Sequence, residues 1–130
     1  MSHTFLAKSA ALVYGLWGLL HIKAAWAVFE LGTTFPADMV QGRLYQSSWN
    51  LLFFAVASIV IAVKWNWHNH KTGYVLNLIL VSATDIGFVV FILAPGYMPW
   101  MPGGLGPLLW LIAVFLSTWA LRATPKPVTV

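Results

Sequence analysis

Apolar residues along the chain fall into four long runs, separated by short stretches rich in Gly, Pro and polar residues. The runs are about Ser9 to Leu31, Ser48 to Lys64, Gly73 to Pro95 and Pro107 to Leu121. About 20 apolar residues in a helix suffice to cross a bilayer's hydrocarbon. The pattern therefore predicts an all-α polytopic membrane protein, a four-helix transmembrane bundle in which residues 1–130 form a single integral membrane domain. The fourth helix is short unless Pro107 sits in its first turn, where a proline is tolerated.

The connecting stretches differ in character. Gly32 to Ser47 carries Gly, Pro, Asp and Arg and predicts an extramembrane loop with a short interfacial helix after Pro36. Trp65 to Thr72 is a tight polar turn whose tryptophans suit the headgroup level. Pro95 to Pro107 holds four Pro and four Gly in thirteen residues, so it is not helical throughout. It is also too apolar for a solvated linker, which suggests a loop folded over the mouth of the bundle.

Composition removes the soluble alternatives. Sixty per cent of the 130 residues are hydrophobic and 8% are charged, and the mean hydropathy is +0.80. Ten charged side chains cannot clothe a soluble core of this size. The net charge of +4 comes from basic residues scattered singly, with no basic patch, which argues against a nucleic-acid partner. Their positions speak instead to topology. With four spans, Lys8, Lys64, Lys71, Arg122 and Lys126 share one side against Arg43 on the other, and the positive-inside rule places both termini in the cytoplasm. The expected home is the inner membrane of a bacterium. With no Cys there is no disulfide, thiolate ligand or nucleophilic thiol.

The chemistry concentrates on Asp85, in the middle of the third run. A carboxylate at the bilayer centre costs roughly 2.5 to 3.5 kcal/mol on insertion scales, so it faces a bundle interior and a partner. Candidate partners on the first helix are His21, one stripe with Trp17 and Tyr14, and Lys23, which shares a nearly opposite stripe with Glu30. Asn50 enters the second helix at a comparable depth, and Tyr45 and Trp26 stand nearer the mouth. These placements predict a polar pocket in the outer half of the bundle, with the cytoplasmic half packed hydrocarbon apart from Asn77. There Asp85 and Asn50 address a lipophilic small molecule, with His21, Lys23, Glu30, Tyr45 and Trp26 lining its site. The bland alternative is that Asp85 pairs with Lys23 or His21 only to neutralise buried charge, while Lys23 snorkels and His21 is a hydrogen-bonded core residue.

His68 and His70 in the WNWHNH turn supply two imidazoles but no further metal ligand, so no metal site is assigned. Tyr97 and Trp100 read as interfacial anchors. Gly15, Gly18 and Gly87 read as close helix contacts or oligomer faces. There is no Walker loop, dinucleotide fingerprint, Ser/His/Asp set, zincin motif or tandem-His haem pattern. Nor is there an inverted repeat of the kind that builds secondary transporters.

One order of features resembles a known family. Arg43, Tyr45 and Asn50 on entering helix 2, a short turn containing Lys71 and Thr72, then DIGFVVF from Asp85 before a Pro/Gly loop, is similar to styrene oxide isomerase. That resemblance, over about Tyr14 to Leu121, implies a small four-helix membrane enzyme that rearranges epoxides to carbonyl compounds, assembled as a trimer with haem b. Asn50 would match an active-site asparagine of that family, and Asp85 would stand where the family has asparagine in an N-V-G-F segment. The family's haem-ligating histidine is replaced here by Leu44 or Tyr45, and the pocket tyrosine by Val89, so the cofactor stays unknown. The resulting expectation is an isomerase or related acid/base enzyme on a lipophilic small molecule, as a homo-oligomer. The alternative is a non-catalytic accessory subunit of a larger membrane complex.

Overall fold

A computed structural model describes residues 2–124; Met1 and residues 125–130, including Lys126, lie outside the described residues. The regular elements are helical throughout: α1 (His3–Thr33), α2 (Met39–Lys64), a 3-10 turn (Asn66–His68), α3 (Lys71–Phe88) continuing into a π-helical turn (Val89–Leu93), α4 (Trp100–Gly103) and α5 (Leu105–Arg122). Four stretches, His3–Thr33, Met39–His68, Lys71–Leu93 and Trp100–Arg122, are long and apolar enough to cross a membrane.

The helices run longer than the apolar pattern alone predicts, because capping side chains set their ends. Ser2 accepts a hydrogen bond from the Phe5 N–H and starts α1 six residues ahead of its apolar run. Asp38 accepts from the N–H groups of Val40 and Gln41 and starts α2 at Met39, so the expected loop from Gly32 to Ser47 shrinks to a few residues around Pro36. Gln41 then ties that turn down by donating to the carbonyls of Gly32 and Phe35. Pro107 lies in the first turn of α5, which lets the fourth apolar run reach membrane length.

Each long helix packs on its sequence neighbours, and α5 closes the ring on α1, so α1 and α3 face one another diagonally across the axis. The contacts are made by small residues. The buried positions include Ala7, Ala10, Ala11, Gly18 and Ala25 on α1, Ala55, Ser58 and Ala62 on α2, and Gly106, Ala113, Ser117 and Ala120 on α5. Large side chains such as Leu12, Leu16, Phe53, Ile79 and Phe115 point outward. This inversion of a soluble protein is what a bilayer favours, since lipid gives helices no hydrophobic reason to associate and close van der Waals packing must hold them.

Gly18 marks the tightest point. A Cβ there would lie 2.4 Å from Ile59 Cγ1 and 2.8 Å from the Ala55 carbonyl oxygen. Gly15 and Gly87 have nothing within 4 Å of such a Cβ, so they are not contacts within this bundle.

The half of the bundle that holds the chain's N terminus is not pure hydrocarbon, contrary to the reading from sequence. Asn77, wholly buried, donates to Asn66 Oδ1 at 2.8 Å and to the Ser58 carbonyl at 3.3 Å. Tyr14, Ser58 and Ser117 are buried as well. Polar ties also join α3 to α5, through Trp110 Nε1 donating to Ser82 Oγ and through the Tyr74 and Thr118 hydroxyls 3.2 Å apart. Polar groups of this kind that find a partner on another helix fix the register between the two.

Because the Ala55 oxygen belongs to backbone and cannot give way cheaply, Gly18→Ala should destabilise the bundle by about 1 to 3 kcal/mol, the usual cost of overpacking. Gly15→Ala, facing open space on the same helix, should be neutral. Denaturant titration of the two variants in detergent micelles, followed by helical circular dichroism, checks the difference.

Candidate functional site

The α3 residues Gly73, Asn77, Val81 and Asp85 recur every four positions and are all buried, forming the single inward stripe of that helix. Asp85 is the deepest of the charged residues, with 0% exposure. On the diagonal helix, Tyr14, Trp17 and His21 recur at helical spacing and are buried on the inward face of α1. The two stripes meet at one cluster. The indole Nε1–H of Trp17 donates to Asp85 Oδ2 at 2.7 Å. His21 stacks on the same indole, with ring centroids 3.8 Å apart at 24°, and brings its Nε2 to 3.6 Å from Asp85 Oδ1.

The protonation of this cluster follows from its partners. His21 Nδ1 lies 2.8 Å from the Trp17 carbonyl oxygen. A carbonyl only accepts, so Nδ1 carries a hydrogen. A neutral His21 would therefore present a lone pair at Nε2 toward a carboxylate oxygen that has no other partner. At 3.6 Å the two atoms are close neighbours without a direct hydrogen bond between them.

The beginning of α5 closes over it. A Cβ on Gly106 would lie 2.9 Å from His21 Cε1 and 3.5 Å from Asp85 Oδ1, so glycine at this position is what allows α5 to approach the pair. The π-helical turn Val89–Leu93 follows directly after the helical turn that carries Asp85.

The other candidate residues lie elsewhere. Lys23 and Glu30 are exposed on the outer face of α1, so the partner of Asp85 is His21 and not Lys23. Asn50 is exposed on α2 and is not hydrogen-bonded to Asp85. Trp26 and Tyr45 line a separate groove of about 430 Å³ between α1 and α2, together with Ala25, Phe29, Ser48 and Leu52. Its floor is held by Ser48 Oγ donating to the Ala25 carbonyl at 2.7 Å, and Phe29 stacks between Trp26 and Tyr45. Ala25 is one turn beyond His21 on the same buried stripe, which sets the groove next to the pair along α1.

Sequence reasoning grouped His21 with Trp17 but did not give Trp17 a role. The available signal was an indole N–H one helical turn from His21, inside a helix where any polar group needs a partner. The haem implied by the resemblance does not fit these residues. His21 has Nδ1 committed to a carbonyl and Nε2 turned to Asp85, and Leu44 and Tyr45 replace the ligating histidine. Among the described residues no group of three or more His, Cys, Asp or Glu could hold a metal ion.

Trp17→Phe keeps the stacked ring but strips Asp85 Oδ2 of its donor, and should cost about 1.5 to 3 kcal/mol in denaturant titration, the range for a hydrogen bond to a charged group. Nitrogen-15 spectra of histidine-labelled protein in bilayers should show His21 protonated at Nδ1; a neutral ring protonated only at Nε2 would contradict the geometry. Compared with protein-family models, characterised proteins and solved structures, the chain matches none.

Proposed function

We propose that the chain is a small integral membrane enzyme of isomerase or related acid/base type, acting on a lipophilic small molecule at the His21–Asp85 pair. The observation that carries this reading is the buried approach of His21 Nε2 to Asp85 Oδ1, 3.6 Å apart, where the carboxyl oxygen has no hydrogen-bond partner. In the isomerisation of an epoxide to a carbonyl compound an acid protonates the ring oxygen as its C–O bond breaks. A hydride shifts to the neighbouring carbon, and a base takes the proton back from the oxygen as C=O forms, with nothing else gained or lost. A carboxyl group and an imidazole side by side supply both the acid and the base for that exchange.

Two further features support a lipophilic substrate. The groove lined by Trp26, Phe29 and Tyr45 is of ligand size, and its buried Ala25 stands one helical turn along α1 from His21. It lies in the membrane-length part of the fold, where an apolar molecule dissolved in the lipid would reach it. Asn50, exposed on α2, takes no part in the proton exchange. The orientation follows the charges, with both termini in the cytoplasm and Arg43 outside, in a bacterial inner membrane. An accessory role in which Asp85 pairs with a helix of another subunit loses its motive, because Trp17 and His21 already accommodate the carboxylate within the chain.

Asp85→Asn separates chemistry from structure. The amide oxygen still accepts from Trp17, and the amide nitrogen still faces His21 Nε2, but no transferable proton remains. Proteoliposomes of the wild type should convert lipophilic epoxides, beginning with styrene oxide, to carbonyl isomers detected by gas chromatography. Asp85→Asn should lower that rate by about 10² to 10⁴, the range for general acid/base catalysis, with an unchanged unfolding midpoint. Turnover by Asp85→Asn at the wild-type rate would overturn the assignment.

A further inference from the structure

The His21–Asp85 pair is not the only polar concavity. At the opposite end of the bundle, about 20 Å along α1 from His21 by helix rise, a cavity of about 470 Å³ opens between three elements. The first turns of α1 contribute His3 and Lys8, the connection between α2 and α3 contributes Trp67, His68 and Asn69, and Thr124 stands just beyond α5.

Its walls are built. Asn69, in the left-handed conformation with φ 55°, donates to Thr124 Oγ1 at 2.8 Å and to the Ala120 carbonyl at 3.3 Å, which pins the turn to the end of α5. Lys8 holds its amine over the Trp67 ring, 5.3 Å from the centroid. His68 Nδ1 lies 3.3 Å from the Lys64 carbonyl, so it carries the hydrogen and leaves Nε2 for another partner.

The charge of this end is one-sided. The chain has three Asp and Glu residues in total. Asp85 is sealed inside the bundle, while Glu30 and Asp38 flank the α1–α2 turn at the far end. Lys64, Lys71 and Arg122 join Lys8 at the end of the helices that carries the cavity. A concavity lined by an amine, two imidazoles, an amide and an indole, with no acidic side chain at its end of the molecule, is complementary to a phosphate. The tryptophan wall and the position at the tips of membrane-length helices fit a headgroup whose acyl chains run down the outside of the bundle.

We infer that this cavity binds the headgroup phosphate of an anionic phospholipid, with Lys8 as its charged contact and the side chains of His3, Thr4 and His68 around it. The inference is independent of the acid/base chemistry, and rests on the proposed orientation only for assigning the lipid to the cytoplasmic leaflet.

Native mass spectrometry of the detergent-purified full chain, offered equal amounts of phosphatidylglycerol and phosphatidylcholine, tests it. The wild type should retain phosphatidylglycerol in preference. Lys8→Gln should lower that retention about fivefold, the effect of one cationic side chain near an anionic lipid. Arg43→Gln, an equal loss of charge at the opposite end, should leave it unchanged. If Lys8→Gln melts early, His68→Gln carries the same comparison. Equal retention of the two lipids, or an equal loss in Arg43→Gln, would overturn the proposal. Complete displacement by millimolar inorganic phosphate would assign the cavity to a soluble anion. Lipid retention that appears only after removal of residues 125–130 would assign it to the chain's own tail.

Discussion

One buried carboxylate governs this bundle. Asp85 sits with 0% exposure in a fold whose helices are otherwise joined by Ala, Gly and Ser, where a carboxyl group is costly without partners. The Trp17 indole donates to Oδ2, and the His21 ring stands 3.6 Å from Oδ1. The diagonal helices α1 and α3 scarcely touch through their backbones, so this cluster is their principal bond across the axis and fixes their relative rotation. Gly106 then decides whether α5 seats over the pair, since a side chain there would displace the imidazole.

The same constraint explains the composition of the interfaces. Helices in lipid gain by close approach, and the side chains that permit it are the ones that bury nothing large. Gly18 against Ala55 and Ile59, and the alanines and serines of α5, bring the backbones near enough for Trp17 and Asp85 to meet. The large apolar residues that would form a soluble core are displaced to the outside, where acyl chains would cover them. Packing and site are therefore one arrangement: the small residues set the spacing, and the spacing sets the 2.7 Å indole contact and the 3.6 Å approach of His21 to Asp85.

Much of this was legible in the sequence, and what was not has identifiable causes. The four runs gave the helices, because apolar length is a strong signal in membrane proteins. Asp85 stood out because a lone carboxylate in a 23-residue apolar stretch has no other reading. The rotation of α1 was less accessible: His21 and Lys23 lie on nearly opposite stripes, and only the neighbours of the helix decide which turns inward. The helix ends were misread because Ser2 and Asp38 cap stretches whose polarity resembles a loop. Asn77 stood out as a polar exception, but its layer of Tyr14, Ser58 and Asn66 was concealed because single polar residues in apolar runs carry little signal until the partner helix is in place. Asn50 illustrates the converse, a polar residue at a suitable depth that faces outward.

The two ends of the bundle handle charge by different rules. Near the beginning of α5 the polar groups face one another inside the bundle: the Trp17 indole donates to one Asp85 oxygen, and the His21 ring stacked on that indole faces the other. Around Lys8 and His68 the field is unbalanced within the chain and open to the outside, so its counter-charge must come from the surroundings. A chain with three acidic residues has placed one in its interior and the others at the end remote from the cavity of Lys8. Lys23, on the outer face of α1, is turned away from Asp85, and His21 on the inner face is left as its ionisable neighbour.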